Sequence, residues 1–139
     1  MAPITTIRPG QRLADDESLL ALAEFLHHGV RPRERSLWLA MLDSERRMLP
    51  AVVPFHGLAA DPGLPFVARL GYVWAAVLGA ITRASTVLVL ERPGAEAVRD
   101  SDRAWHAALH ASAAEVGIGV AGFFLATTDG VRPLTPDDL

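Results

Sequence analysis

Thr86-Val87-Leu88-Val89-Leu90-Glu91-Arg92-Pro93-Gly94 is the stretch on which the reading of this chain turns. Its first five residues are a continuous run rich in β-branched side chains, stopped by a Pro-Gly turn signal, which is the pattern of a buried central strand. After the Glu91–Val98 loop, Asp100 or Ser101 is placed to cap a helix. Trp105, Ala108, Leu109, Ser112, Ala113 and Val116 share one face of it, and Gly117 or Gly119 ends it. Val120 to Ala126 reads as another strand, turned by Thr128-Asp129-Gly130 into a short last one, Val131 to Leu134.

Upstream of the run, Ser36 to Leu42 and Met48 to Phe55 are apolar segments separated by the polar Asp43-Ser44-Glu45-Arg46-Arg47, the outline of an antiparallel hairpin. Pro50 and Pro54 cannot donate to a ladder, so the second strand belongs at an edge. Asp61-Pro62-Gly63 opens a helix that runs to about Thr82. Apolar residues surround it on nearly every side, which predicts a buried central helix against the middle of the sheet. Nearest the N-terminus, Asp15 or Asp16 caps a helix carrying Leu19, Leu22, Ala23 and Leu26, and Gly29 supplies its left-handed end. Residues 1–14 are expected to form an irregular arm and 15–139 a single domain. The fold class is α/β (α+β), a mixed β-sheet with a buried central helix and flanking helices.

Composition narrows the function. Half the residues are apolar and 21% are charged, enough to build a core, and a net charge of -3 lacks the clustered basic face of a nucleic-acid binder. No cysteine is present, which removes disulfides, thiolate nucleophiles and thiolate-held zinc and fits a reducing cytoplasm. Met1 to Arg8 lacks the charged and apolar regions of a signal peptide. The long apolar segment Leu64–Ile81 holds Arg69 and is broken by Pro65, Gly71 and Gly79, so no membrane span is expected.

From about Arg35 to Leu134 the chain resembles the JAB/MPN family, which has a cytidine-deaminase-like architecture, and in particular its RadC-like branch. The resemblance is carried by Leu42-Asp43 at the end of the first strand, Phe55-His56-Gly57 after the second, the Arg92-Pro93-Gly94 loop, and Asp102 early in the next helix. It implies a bacterial, cytoplasmic protein. Active members hold zinc with a His-x-His pair in that loop and an Asp on the helix. A Ser three residues before that Asp, and a Glu from the earlier sheet, assist the chemistry. The resemblance places the His positions on Leu90 and Arg92. With one deletion in the loop, the Ser position falls on Arg99 and the Asp on Asp102. Leu has no donor atom and Arg carries a permanent positive charge, so neither binds zinc. Ala51-Val52-Val53-Pro54 offers no carboxylate for a general base. The expectation is therefore a pseudoenzyme without metal or other cofactor, acting through a protein partner or self-association, as inactive relatives do.

The polar residues near the loop give one candidate ligand or partner site, Glu91, Arg92, Arg99, Asp102 and His106, a dense charge cluster beside a helix N-terminus. The simpler reading of the same cluster is an ion-pair network that fixes the loop. Asp102, His106 and His110 recur every four residues along one helical stripe, expected to be solvated. The competing reading makes that stripe a relocated hydrolase, ligand or metal site. Trp38, Trp74 and Trp105 read as core, and His27-His28 as a solvated helix end. Pro50, Pro54 and the basic run Arg31–Arg35 are candidate contact surfaces. No Gly-x-Ser-x-Gly elbow or phosphate-cradling loop is present.

Overall fold

The computed structural model describes residues 4–139. Met1, Ala2 and Pro3, the start of the arm and of the segment read against a signal peptide, lie outside the described residues. Along the chain run α1 (Asp16–His27), β1 (Ser36–Leu42), β2 (Met48–Phe55), α2 (Leu64–Leu78), β3 (Ser85–Glu91), α3 (Asp100–Glu115), β4 (Gly119–Thr127) and β5 (Gly130–Pro133). The strands form one mixed sheet in the order β2-β1-β3-β4-β5. β3 and β4 are parallel, joined through α3, and the other neighbours are antiparallel. β3 is thus the central strand and β2 an edge, as the apolar run and the prolines predict. Between Ala40↔Val52 and Leu42↔Met48 the register of β1 on β2 shifts, and the extra residues of β2 there include Pro50. A proline without an N–H is tolerated at such an irregularity.

The two faces of β3 feed two cores. Leu88 and Leu90 pack with Trp74, Leu78, Trp105 and Leu109 from α2 and α3. Val87 and Val89 pack with Leu19, Leu22 and Ala23 from α1. Strand alternation on a sheet covered on both sides requires this double apolar demand. α1 is held at its start by Asp15, whose side chain accepts from the Ser18 N–H at 2.8 Å. The arm is less independent than its irregular sequence suggests. Ile7 and Leu13 are buried in the α1-side core, and Leu13 N–H donates to Arg46 O at 2.8 Å.

The buried central helix is a correction. α2 ends at Leu78, short of Thr82, and only Leu70, Trp74 and Leu78 are buried. It lies beside α3, and its far side faces outward with Leu64 84% and Tyr72 79% exposed. Apolar residues all round a helix signal a demand for burial, but this chain supplies a partner for one side only. α3 also starts one residue earlier than an Asp100 cap requires and two earlier than a Ser101 cap, with Arg99 at the cap position. Among the described residues no helix is long and apolar enough to cross a membrane.

Candidate functional site at the end of the central strand

The end of β3 divides the candidate residues. Alternation sends Glu91 to the α1 side, with Val89 and Val87, and the next residue, Arg92, to the α3 side. The expected single cluster of Glu91, Arg92, Arg99, Asp102 and His106 is therefore corrected to separate arrangements.

On the α3 side, Arg92 and Asp102 are both fully buried. Nε of Arg92 donates to Oδ1 of Asp102 and Nη2 to Oδ2, each at 2.8 Å, a bidentate pair. The other donors turn to the loop backbone: Nη1 to Pro93 O at 3.1 Å and Ala95 O at 2.9 Å, and Nη2 to Ala97 O at 2.9 Å. Five bonds match the five N–H groups of a guanidinium, so Arg92 has no donor left for a ligand. Asp102 Oδ2 also accepts the Arg99 N–H at 2.9 Å, which closes the first turn of α3. Burial pushes the Asp102 carboxyl up. The Arg92 hydrogen bonds, the Arg99 N–H and the charges of Arg92 and Arg35 outweigh it and hold the group below its ordinary value.

Arg99 itself points to solvent and contributes its backbone, not its charge, to this pair. Gly94 sits in the left-handed region at φ +100° with the Arg99 side chain against it. The loop is thus an arginine-centred staple, one buried ion pair joined to three loop carbonyls in place of the wider ion-pair network expected. These residues do not fit zinc. Leu90 is in the core, Arg92 brings a cation, and the one carboxylate is already shared between a guanidinium and a backbone N–H.

His106 and His110 are not a solvated stripe continuing from Asp102, which corrects that expectation. They are half-buried and stack on each other with ring centroids 4.0 Å apart, His106 lying 4.8 Å from the Phe123 ring. Burial lowers the pKa of both, and for His106 the neighbouring His110 adds to the effect. Nε2 of His110 is buried without a hydrogen-bond partner. Among the described residues no three His, Cys, Asp or Glu side chains are placed to hold a metal.

On the α1 side, Glu91 is held by two donors that the sequence reading did not join to it. Nδ1 of His27 lies 2.5 Å from Oε2, and Nε1 of Trp38 donates to Oε1 at 2.8 Å. Beside this trio lies a cleft of about 720 Å³, lined by Arg31, Arg33, Ser36 and His56 among others. Ser36 Oγ is 3.0 Å from Nδ1 of His56, and Glu34 Oε1 is 3.9 Å from that same nitrogen. A nucleophile relay needs serine and carboxylate on opposite ring nitrogens, so this is no catalytic triad. Helical spacing had a signal for His27. It follows Leu19 and Ala23 at intervals of four, on the buried stripe of α1.

Comparison of the chain with protein-family models, with curated proteins and with solved structures finds no match in any of the three.

Proposed function

We propose that this chain is a non-catalytic, metal-free domain of the JAB/MPN-like, RadC-like kind that works through protein contacts. The observation that carries the reading is the state of Arg92. Where active members of that family bind metal in the loop, this chain sets a guanidinium whose five N–H groups are all spent on Asp102 and on loop carbonyls. A site built this way stabilises the loop and offers neither an open ligand position nor a free base. Its residues Arg92, Arg99 and Asp102 are then structural, and a contact function falls to other surfaces. The test is native mass spectrometry after incubation with zinc. The reading expects no stoichiometric zinc on the wild-type chain. One tightly held zinc, lost in a variant combining Asp102→Ala and His106→Ala, overturns it.

A second reading, small-ligand binding, is favoured by the Glu91 cleft in place of the Asp102, His106 and His110 stripe. Glu91 is fixed by His27 and Trp38 while still lining the cleft. A thermal-shift screen of small polar compounds tests it. A stabilising compound whose effect disappears in Glu91→Gln supports it, and a screen with no such compound removes it.

A further inference from the structure

Bonding capacity along the Glu91 cleft is only half used, in contrast to the sealed loop. Glu91 leaves 12% of its side chain exposed, where Asp102 leaves 0%. A carboxylate has about four acceptor positions, and His27 and Trp38 occupy one on each oxygen. One position on each oxygen remains, side by side, at the wall of a cleft of about 720 Å³. That volume falls within the roughly 300–1,000 Å³ of small-molecule sites. Arg31 and Arg33, both exposed, line the same cleft, and neither has an ion-pair partner among the described residues. The Trp38 ring lines it too, with the His56 ring edge-on at 6.0 Å.

Placement in the fold agrees. Glu91 ends β3 and pairs with Ala126 near the end of β4. The cleft therefore opens at the carboxyl ends of the two parallel strands, where open α/β sheets receive ligands. A second cleft, of about 440 Å³, shares His27, Val30 and Arg31 with it and reaches Thr127 and Thr128 at the end of β4.

We propose that the Glu91 cleft binds a small dipolar molecule, a planar group with two adjacent N–H donors joined to an anionic group. The proposal rests on the small-ligand reading of this site. The N–H pair meets the free positions on Glu91, the planar group lies against Trp38, and the anion meets Arg31 and Arg33. Each end needs the other. A cation alone is repelled by the two arginines, and an anion alone is repelled by Glu91. Parallel N–H groups are what a carboxylate takes in bidentate fashion, and a flat guanidinium lies well on an indole ring. Two kinds of small molecule present this chemistry, a guanidino amino acid and a guanine nucleotide.

Nuclear magnetic resonance titration of the ¹⁵N-labelled chain tests it, with the Trp38 indole N–H signal, assigned by its loss in Trp38→Phe, as the reporter. The probes are L-arginine and guanosine monophosphate. Agmatine and guanosine keep the donor pair without the anion, and norvaline and adenosine monophosphate keep the anion without the pair. The expected result is a saturable shift with at least one of the two probes. Binding weakens by about tenfold or more in its two truncated counterparts, in Glu91→Gln, and in Arg31→Ala combined with Arg33→Ala, each step removing a charge-assisted hydrogen bond. Arg31 and Arg33 are exposed, so the double variant keeps its fold, checked by an unchanged circular dichroism spectrum.

A response to arginine alone assigns the amino acid source, and one to guanosine monophosphate alone the nucleotide. No response to either probe overturns the proposal. So does a truncated compound that binds as well as its parent, or binding indifferent to either variant. If neither probe binds but the thermal-shift screen yields another compound dependent on Glu91, the ligand class is wrong and the small-ligand reading stands. If that screen is empty as well, both fall.

Discussion

Two regions of this molecule invert the usual assignment of charge and apolar surface. The Arg92–Asp102 pair, which reads in sequence as a polar site, is fully buried. The outer side of α2, which reads as core, carries Leu64 and Tyr72 at 84% and 79% exposure. The loop consumes its own polarity in internal hydrogen bonds, whereas α2 has more apolar surface than the domain can cover. The lesson is that chemistry-bearing residue types do not locate function here. Whether their bonding capacity is spent does.

The largest expected effect comes from breaking the sealed region. Asp102→Ala leaves the Arg92 guanidinium buried without its counter-charge and is expected to cost about 3–5 kcal/mol in urea unfolding. A loss below about 1 kcal/mol means that Arg92 escapes to solvent easily and that the loop is not stapled as described.

Next in size, α2 itself separates the two regions. Leu70→Ala, on its buried side, is expected to cost about 2–5 kcal/mol, and Leu64→Ala, on its exposed side, no more than about 0.5 kcal/mol. Equal losses in urea unfolding contradict the one-sided packing of α2.

Gly94→Ala puts a side chain at φ +100°, against Arg99, and is expected to destabilise by about 1–2 kcal/mol. A neutral result by the same measurement shows the loop to be more pliant than a staple allows.

The smallest effect is in pH. His106 and His110 have lowered values, so the unfolded chain takes up their protons first as pH falls below 6.5, and stability declines from there downward. Asp102, lowered from 3.8, holds its contribution above that value and loses it only as pH falls further through the folded value. Thermal unfolding from pH 7 to pH 5 therefore shows a modest loss that is reduced in His106→Gln with His110→Gln. A profile unchanged by that double substitution contradicts the burial of the two rings.

Much of the architecture was legible from the sequence because its signals are local. The Thr86–Leu90 run, the Pro50 and Pro54 edge, the Asp15 cap and the Gly117 stop each depend on a few neighbouring residues. Two matters were not local. Helical periodicity in α2 shows that apolar surface exists on every side but says nothing of how much the rest of the chain can cover. At the candidate site, adjacency in sequence was mistaken for adjacency in space. Glu91 and Arg92 sit next to each other and face opposite sides of the sheet, a separation that period-two alternation from Val89 and Leu90 already contains. The partners His27 and Trp38 of Glu91 come from α1 and β1, 64 and 53 residues away, and only the assembled sheet brings them together.

One measurement addresses the sealed loop directly: hydrogen exchange read by mass spectrometry, with and without zinc. The account predicts slow exchange over residues 92–102 that zinc leaves unchanged. Fast exchange there, or protection that appears only with zinc, contradicts it.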